Sequence, residues 1–295
     1  MFIIISGVFF LISKNIDSMK EITFGLFYEK KYFLLDGRIQ IVHVIKYSQK
    51  INKNLDFLIS KVSEAIKPYE DLNHIGEGSN IDLIFKEQKG IRFIINAGFN
   101  HYRKNFYEWK HQNYNIGDPV GVVKIREHKF IDYLTLDNYG FLIQHNRQSD
   151  WNISNKIDNI DHKYILGCTP ILIFDSNKLE LPNMFPVEKD KINPPSYLGH
   201  GSQIHPRTAV GIKGEDLYFF VVENNKEGSG GCTLEYLQYI GMSINLESMI
   251  NLDGGGSSQF KIIEDDGNVI SNFISEEDQN RVLGHTLMIF DESLK

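Results

Sequence analysis

The stretch that most restricts the fold is Ile250–Phe260, INLDGGGSSQF, where an apolar run ends at one carboxylate, Asp253, followed by three glycines and two serines. Ser248 to Leu252 reads as a buried strand and Phe260 to Ile263 as another, because short β-branched and apolar runs bounded by turn residues mark sheet interiors. Asp253 therefore stands at a strand end. Glycines let the backbone take positive φ and let a ligand approach the main chain with no Cβ in the way. Successive N–H groups from Gly254, Gly255, Gly256, Ser257 and Ser258 can then face an anion, as a backbone nest does, with the serine hydroxyls as further donors. No Gly-Lys-Ser/Thr follows, and the next element reads as a strand, so this is not a nucleotide P-loop. A plain glycine-rich hairpin is the competing reading.

Within 295 residues, 42% hydrophobic and 12% aromatic content supply a packed core. A net charge of −7 with no basic block argues against nucleic acid or an anionic membrane surface as the main partner. Cys168 and Cys232 are the two cysteines, so no disulfide framework holds the fold; one bridge between them and two small buried thiols are both open readings. The apolar run Phe2 to Ile12 is too short for a stable membrane span. It has the length of a signal-peptide core, which leans the location toward the cell envelope or beyond. Yet no Lys or Arg precedes it and no clean cleavage site follows. A signal peptide, a hydrophobic first strand and a start placed upstream of Met19 are the alternatives. Residues 1–21 are set apart as this hydrophobic segment. Residues 22–295 show no repeat, linker or low-complexity block and are read as one domain.

Strands are expected across Ile22 to Lys50 with a turn at Asp36-Gly37, then at Arg92 to Asn100, Val120 to Ile143, Lys163 to Phe174, His205 to Ile212 and Leu217 to Val222. Helices are expected at Leu55 to Lys67, where Leu55, Leu58, Ile59, Val62 and Ile66 fall at helical intervals, at Asn80 to Glu87, and at Leu234 to Gly241 behind a Thr233 cap. His101 to Asp118 reads as a long loop over a site, Asp175 to Gln203 as a loop of little regular structure, and Glu227 to Gly231 as a second glycine-rich loop.

Five segments, INAGFN, LGCTP, HPRTAVGI, GGCTLEYL and INLDGGGSSQF, stand in an order that resembles the phosphodiester glycosidase family, from about Ile22 to the last strand, His285 to Phe290. The resemblance implies an α+β fold with a mixed β-sheet core, flanking helices and a single catalytic domain. It implies hydrolysis of a sugar joined through its anomeric carbon to phosphate. The family's Asn of NAGF, Arg of PRTA and Asp of LDGGGS map onto Asn96, Arg207 and Asp253. Two places depart from the pattern: Val221-Val222-Glu223-Asn224-Asn225 stands where the family often has Val-Val-Asp-Gly-Arg, and Glu235 comes one residue early, with Tyr236 at the usual Glu position.

A sugar 1-phosphodiester already carries a good leaving group, so its site needs charge neutralisation and a carboxylate more than a strong general acid. Arg207 suits the first, because a guanidinium fork grips two phosphate oxygens and stays charged. Asp253 suits the second, as nucleophile or base beside an oxocarbenium-like transition state, with Glu223 as the candidate second carboxylate. His205 is a candidate phosphate ligand or proton shuttle. Asn96 and Thr208 are candidate sugar hydroxyl binders and Phe99 a candidate stacking surface, with Gly98, Gly231 and Thr233 beside them on the substrate side. Each has a plainer reading: Asp253 as a turn cap, Arg207 in a core salt bridge, His205 as a strand-end residue, Phe99 as packing. His200 and His205 lack metal-site spacing, so neither a metal nor another cofactor is expected. The partner is a carbohydrate or sugar phosphate. A glycosidase on a non-phosphorylated glycan and a non-catalytic carbohydrate-binding protein are the competing functions.

Overall fold

The structure is a computed structural model and describes residues 2–5, 8–11, 19–23, 25–35, 37–48, 50–51, 55–61, 81–87, 90–99, 122–125, 128–131, 140–145, 151–157, 162–181, 201–224, 230–272, 274–275, 278, 281, 283 and 285–291. In chain order the strands are β1 (Phe2–Ile5), β2 (Val8–Leu11), β3 (Lys20–Thr23), β4 (Leu26–Leu35), β5 (Arg38–Ser48) and β6 (Leu55–Lys61). Helix α1 (Ile81–Glu87) precedes β7 (Ile91–Asn96), β8 (Val122–Ile125), β9 (His128–Ile131), β10 (Gly140–His145), β11 (Trp151–Ser154), β12 (His162–Cys168), β13 (Ile171–Phe174) and β14 (Asn177–Lys178). The hairpin β15 (Arg207–Lys213) and β16 (Asp216–Val222) leads to α2 (Leu234–Ser243), β17 (Ser248–Asn251), β18 (Phe260–Ile263), β19 (Val269–Ser271) and β20 (His285–Asp291).

Three sheets enclose the main core: an eight-stranded sheet ordered β14-β13-β17-β15-β16-β5-β4-β3, a five-stranded sheet β19-β18-β7-β20-β6, and another five-stranded sheet β11-β10-β12-β8-β9. β16 shows how sequence builds this arrangement. Leu217, Phe219 and Val221 enter the core between sheets, while Tyr218, Phe220 and Val222 enter a second core against α2. Side chains alternate across a strand, so a strand covered on both faces must be apolar throughout, as this one is. A third cluster joins α1 to the outer face of β7 and β20 through Ile84, Ile94 and Met288.

Two expectations are corrected. The core is not a mixed α+β sheet: every pairing between named strands is antiparallel, and two short α-helices flank the sheets among the described residues. Neighbours such as β4 and β5 join through tight turns, and antiparallel pairs need no helical crossover. Nor is Leu55 to Lys67 a helix. Leu55–Lys61 pairs antiparallel with β20 along its whole length, and the period of two in Leu55, Phe57 and Ile59 outranks the helical spacing once β20 offers a partner edge; residues 62–67 lie outside the described set. The other expected strands, α1 and α2 stand where expected, while β11, β14 and β19 were not expected, β14 lying inside the stretch read as a loop. His101 to Asp118, most of Glu227 to Gly231 and much of Asp175 to Gln203 also lie outside the described residues. β1 and β2 form an antiparallel pair, and no helix of the described residues is long and apolar enough to cross a membrane.

Candidate active site

The Asp253 loop is where the chain passes from the eight-stranded sheet to the sheet of β7 and β18. Leu252 N–H donates to Thr208 O on β15 (2.9 Å), and one residue later Asp253 N–H donates to Ala97 O just beyond β7 (2.9 Å). Asn96, 1% exposed at the end of β7, closes this seam. Its Nδ2 donates to Asp253 O at 2.7 Å, and its Oδ1 accepts from Thr208 Oγ1 at 2.9 Å and from Gln259 N–H at 3.1 Å. Thr208 Oγ1 also lies 3.1 Å from Ser258 Oγ. A buried amide must satisfy both ends, and here both ends hold the loop. Gly98 is buried beside this seam, and Phe99 is buried at 7% exposure.

Asp253 itself is only partly buried. Its Oδ1 accepts from Gly254 N–H at 2.9 Å. Burial pushes its carboxyl up to about 6, against smaller downward pulls from the Ser257 hydroxyl, the Arg281 charge and the Gly254 amide. Such a group is largely ionised at neutral pH and can still exchange a proton there.

The expected five-amide anion nest is corrected by the loop's own folding. Gly255–Ser257 forms a 3-10 turn. Gly254 N–H is held by Asp253, Gly255 N–H by Pro206 O (2.8 Å), Ser257 N–H by Gly254 O (3.2 Å) and Ser258 N–H by Gly255 O (3.1 Å). Only the Gly256 amide is not accounted for by these bonds. Gly255, at φ +61°, makes the reversal that closes the turn.

Arg207 runs beneath this loop at 5% exposure. Its Nε donates to Cys232 O at 2.9 Å and its Nη2 to Gln203 O at 2.7 Å. Burial lowers its pKa, partly offset by Cys232. A β-carbon on Gly254 would sit 3.8 Å from Arg207 Cδ, so the stem of Arg207 lies under the loop's first glycine. His205 is half-buried, pairs by backbone with Cys232 (2.9 and 3.3 Å) and sets its Nε2 2.9 Å from Gln203 Oε1. Gly231 has φ +112°, and a β-carbon there would overlap the His205 carbonyl. Its N–H donates to buried Gln40 Oε1 at 2.9 Å. Thr233 caps α2, its hydroxyl accepting from Tyr236 N–H at 3.2 Å. Both cysteines are free and buried; burial pushes the Cys232 thiol up to about 12 and Cys168 well above its ordinary value.

Glu223, 6% exposed, follows β16. Its Oε2 lies 3.4 Å from His43 Nε2 and 3.7 Å from Lys30 Nζ. His43 Nδ1 meets Tyr28 OH at 2.9 Å, and its ring packs on Phe260 with centroids 4.8 Å apart. Burial lowers the His43 pKa against the pull of Glu223 and raises that of Tyr28.

A shallow cleft opens on the outer side of the loop, lined by Pro206, Asn224, Gly255, Gly256, Ser258, Ile274, Ser275 and Asp278. The last three, with Arg281, form an arm absent from the sequence-derived set. Asp278 Oδ2 accepts from Ser275 Oγ at 2.7 Å and Oδ1 from Arg281 Nε at 3.1 Å. Gln259 Nε2 ties the arm to the loop, donating to Gly256 O (3.0 Å) and Asp278 O (3.1 Å). A β-carbon on Gly256 would overlap the Asp278 carboxylate and stand 2.7 Å from Arg281 Nε. The glycine at 256 was a visible signal of close approach, but the polar run EEDQNR carries no period that names its partner.

Comparison with known proteins gives the site a setting. The phosphodiester glycosidase family matches over residues 89–290. No curated protein matches the chain. Among solved structures, the catalytic domain of zebrafish N-acetylglucosamine-1-phosphodiester alpha-N-acetylglucosaminidase, auto-inhibited by its pro-peptide, superposes with a TM-score of 0.58 at 15% identity, covering 93% of this chain and 85% of that one. A hypothetical protein from Synechocystis gives 0.54 at 13% identity, covering 91% of this chain, which spans 62% of the length of that protein. A Burkholderia pseudomallei K96243 protein described as exported gives 0.54 at 11% identity, covering 85% of this chain and 74% of that one. At these identities the likeness is one of fold.

Proposed function

Because the chain belongs to the phosphodiester glycosidase family, we propose that it hydrolyses a sugar linked through its anomeric carbon to a phosphodiester, with Asp253 as the carboxylate that meets that carbon. The observation that carries this reading is the setting of Asp253. Its carboxylate is fixed by Gly254 N–H where the chain crosses between sheets, and burial raises its pKa to about 6. In the proposed reaction the bond from the anomeric carbon to the phosphate oxygen breaks and the phosphate leaves with the electron pair. Asp253 stabilises the cationic sugar as nucleophile or activates the attacking water.

Arg207 acts through charge in this scheme. With Nε and Nη2 donated to backbone carbonyls, it is a fixed cation under the loop that also holds the His205–Cys232 segment in place. Asn96 and Thr208 position the loop from behind, and the Gly256 amide is its remaining anion donor. Glu223 is the second carboxylate of the scheme, its Oε2 3.4 Å from His43 Nε2. Asn224, next in the chain, lines the cleft.

The test is hydrolysis by purified protein of para-nitrophenyl alpha-glycosides and UDP-linked alpha-sugars, with Asp253→Asn alongside. Cleavage of the UDP-linked set that vanishes in the variant supports the reading. Turnover confined to phenyl glycosides moves it to a glycosidase without a phosphate requirement, a reading favoured by the internal use of most loop amides. Sugar binding without turnover on either panel makes the protein a carbohydrate-binding one.

A further inference from the structure

Arg207 and Arg281 both stand close to the glycine loop, but on opposite sides of it. Arg207 is 5% exposed and already donates Nε and Nη2 to main-chain carbonyls, so its fork is committed inside the protein. Arg281 keeps 39% of its side chain exposed and gives Nε alone to Asp278 among the described residues. Asp278 is itself fixed by Ser275 at 2.7 Å and by the Gln259 bond to its carbonyl. The carboxylate therefore orients the guanidinium through one edge and leaves the Nη pair, the edge that binds phosphate oxygens bidentately. The arm meets the loop at Gly256, whose amide is the loop donor not bound internally, and Ser275 and Asp278 line the same cleft as Gly256. The Arg281 field also reaches Asp253, whose carboxylate it stabilises.

We propose that Arg281, oriented by Asp278 and Ser275 against Gly256, is the side chain that contacts the substrate phosphate and makes the site selective for phosphate-linked sugars. The assignment rests on the phosphodiester reading above for its substrate, but not for its anion. It also accounts for the missing arginine after Val222, where the chain has Asn224-Asn225. A cation from the far end of the chain serves the leaving group instead.

The experiment pairs kinetics with direct binding. Charge-assisted hydrogen bonds of this kind contribute roughly 10- to 100-fold in affinity or rate. Arg281→Gln is expected to lower kcat/KM on a UDP-linked sugar by about that factor, with a clearly smaller loss on the para-nitrophenyl glycoside, and added guanidinium ion is expected to restore part of the loss. Inorganic phosphate, titrated calorimetrically, is expected to bind the native protein and to bind Arg281→Gln at least about tenfold more weakly. Asp278→Asn is expected to give an intermediate loss that Arg281→Gln does not deepen further. An equal loss on both substrates, or phosphate binding unchanged by Arg281→Gln, overturns the assignment. If the native protein cleaves no phosphate-linked sugar, the phosphodiester reading fails while the phosphate titration still decides Arg281. No phosphate binding by the native protein overturns the anion site itself.

Discussion

The two sides of the glycine loop use polar groups in opposite ways. On the inner side, Asn96, Thr208, Gln259 and Arg207 are each 5% exposed or less and are engaged by partners inside the protein. On the outer side, Asp253, Gly256, Asp278 and Arg281 are only partly buried, and Gly256 and Asp278 line a cleft. The inner side's donors are satisfied, since an unpaired buried donor costs about 1–3 kcal/mol, while Gln259 Oε1 is left without a partner among the described residues; this side holds geometry. The outer side is where the proposal places a ligand, at some cost in stability. A polar residue in a family motif is therefore not by that fact a substrate contact. Asn96 and Arg207 stand in the most recognisable motifs of the chain, yet Asn96 holds the loop and Arg207 gives Nε and Nη2 to the Cys232 and Gln203 carbonyls.

The comparison is broken most directly at Asp253. Asp253→Asn is expected to reduce kcat/KM by about 10³-fold or more, while thermal unfolding at pH 7 shows a more stable protein by on the order of 1 kcal/mol. The sign follows from its titration. With the folded carboxyl raised from 3.8 to about 6, the folded state binds the proton more tightly, so stability falls as pH rises between those values. The variant's advantage is then full above about pH 6 and gone by about pH 4. A variant that is less stable at pH 7 would place Asp253 on the inner side after all.

Asn96→Leu tests the inner side. It strands the Gln259 amide and the Asp253 carbonyl and leaves the Thr208 hydroxyl only its Ser258 partner, and denaturant unfolding is expected to show a loss of about 2–4 kcal/mol. Gly256→Ala falls between the two sides, because its β-carbon overlaps the Asp278 carboxylate. Overpacking is expected to cost about 1–3 kcal/mol, together with a drop in turnover as the arm is displaced. Turnover that survives that displacement would separate the arm from the chemistry.

A smaller effect sharpens the comparison without a fold change. The acid limb of kcat/KM against pH is expected to inflect near 6, and Arg281→Gln is expected to move that inflection upward, since the guanidinium now favours the Asp253 anion. An inflection that stays put would uncouple the two residues. Smallest of all, Cys168 and Cys232, both buried with raised pKa values, are expected to resist alkylation in the native protein at pH 8, as judged by mass spectrometry.

Much of the fold was readable because local pattern and final structure agree. β4, β5, β15, β16, β17 and β18 stand where runs of β-branched and aromatic residues lie between turn residues. The reading failed where two periods compete over a few residues: Leu55, Leu58 and Ile59 suit a helix, while Leu55, Phe57 and Ile59 suit a strand, and pairing with β20, more than 200 residues away, selects the second. The mixed sheet failed for a related reason. Strand direction is a property of connections, and an apolar run has the same composition in either direction.

The candidate site divides along the same line. Asp253 and the glycine run were legible as candidates because they stand together in one stretch, and Asn96 and Arg207 because each stands in a segment resembling a family motif. Which of them turns inward was not, because that depends on which carbonyls and amides the other strands bring near. Arg281 was invisible, since its tie to Gly256 through Asp278 joins segments with no shared pattern. The sequence by itself determined a β-rich chain with a carboxylate at the mouth of a glycine loop, because strand propensity and glycine conformation are local. The tertiary structure alone decided that this loop joins two sheets, that Arg207 is buried and that Arg281 stands against Gly256 through Asp278. Burial and hydrogen-bond satisfaction are properties of the assembled neighbours rather than of any single stretch.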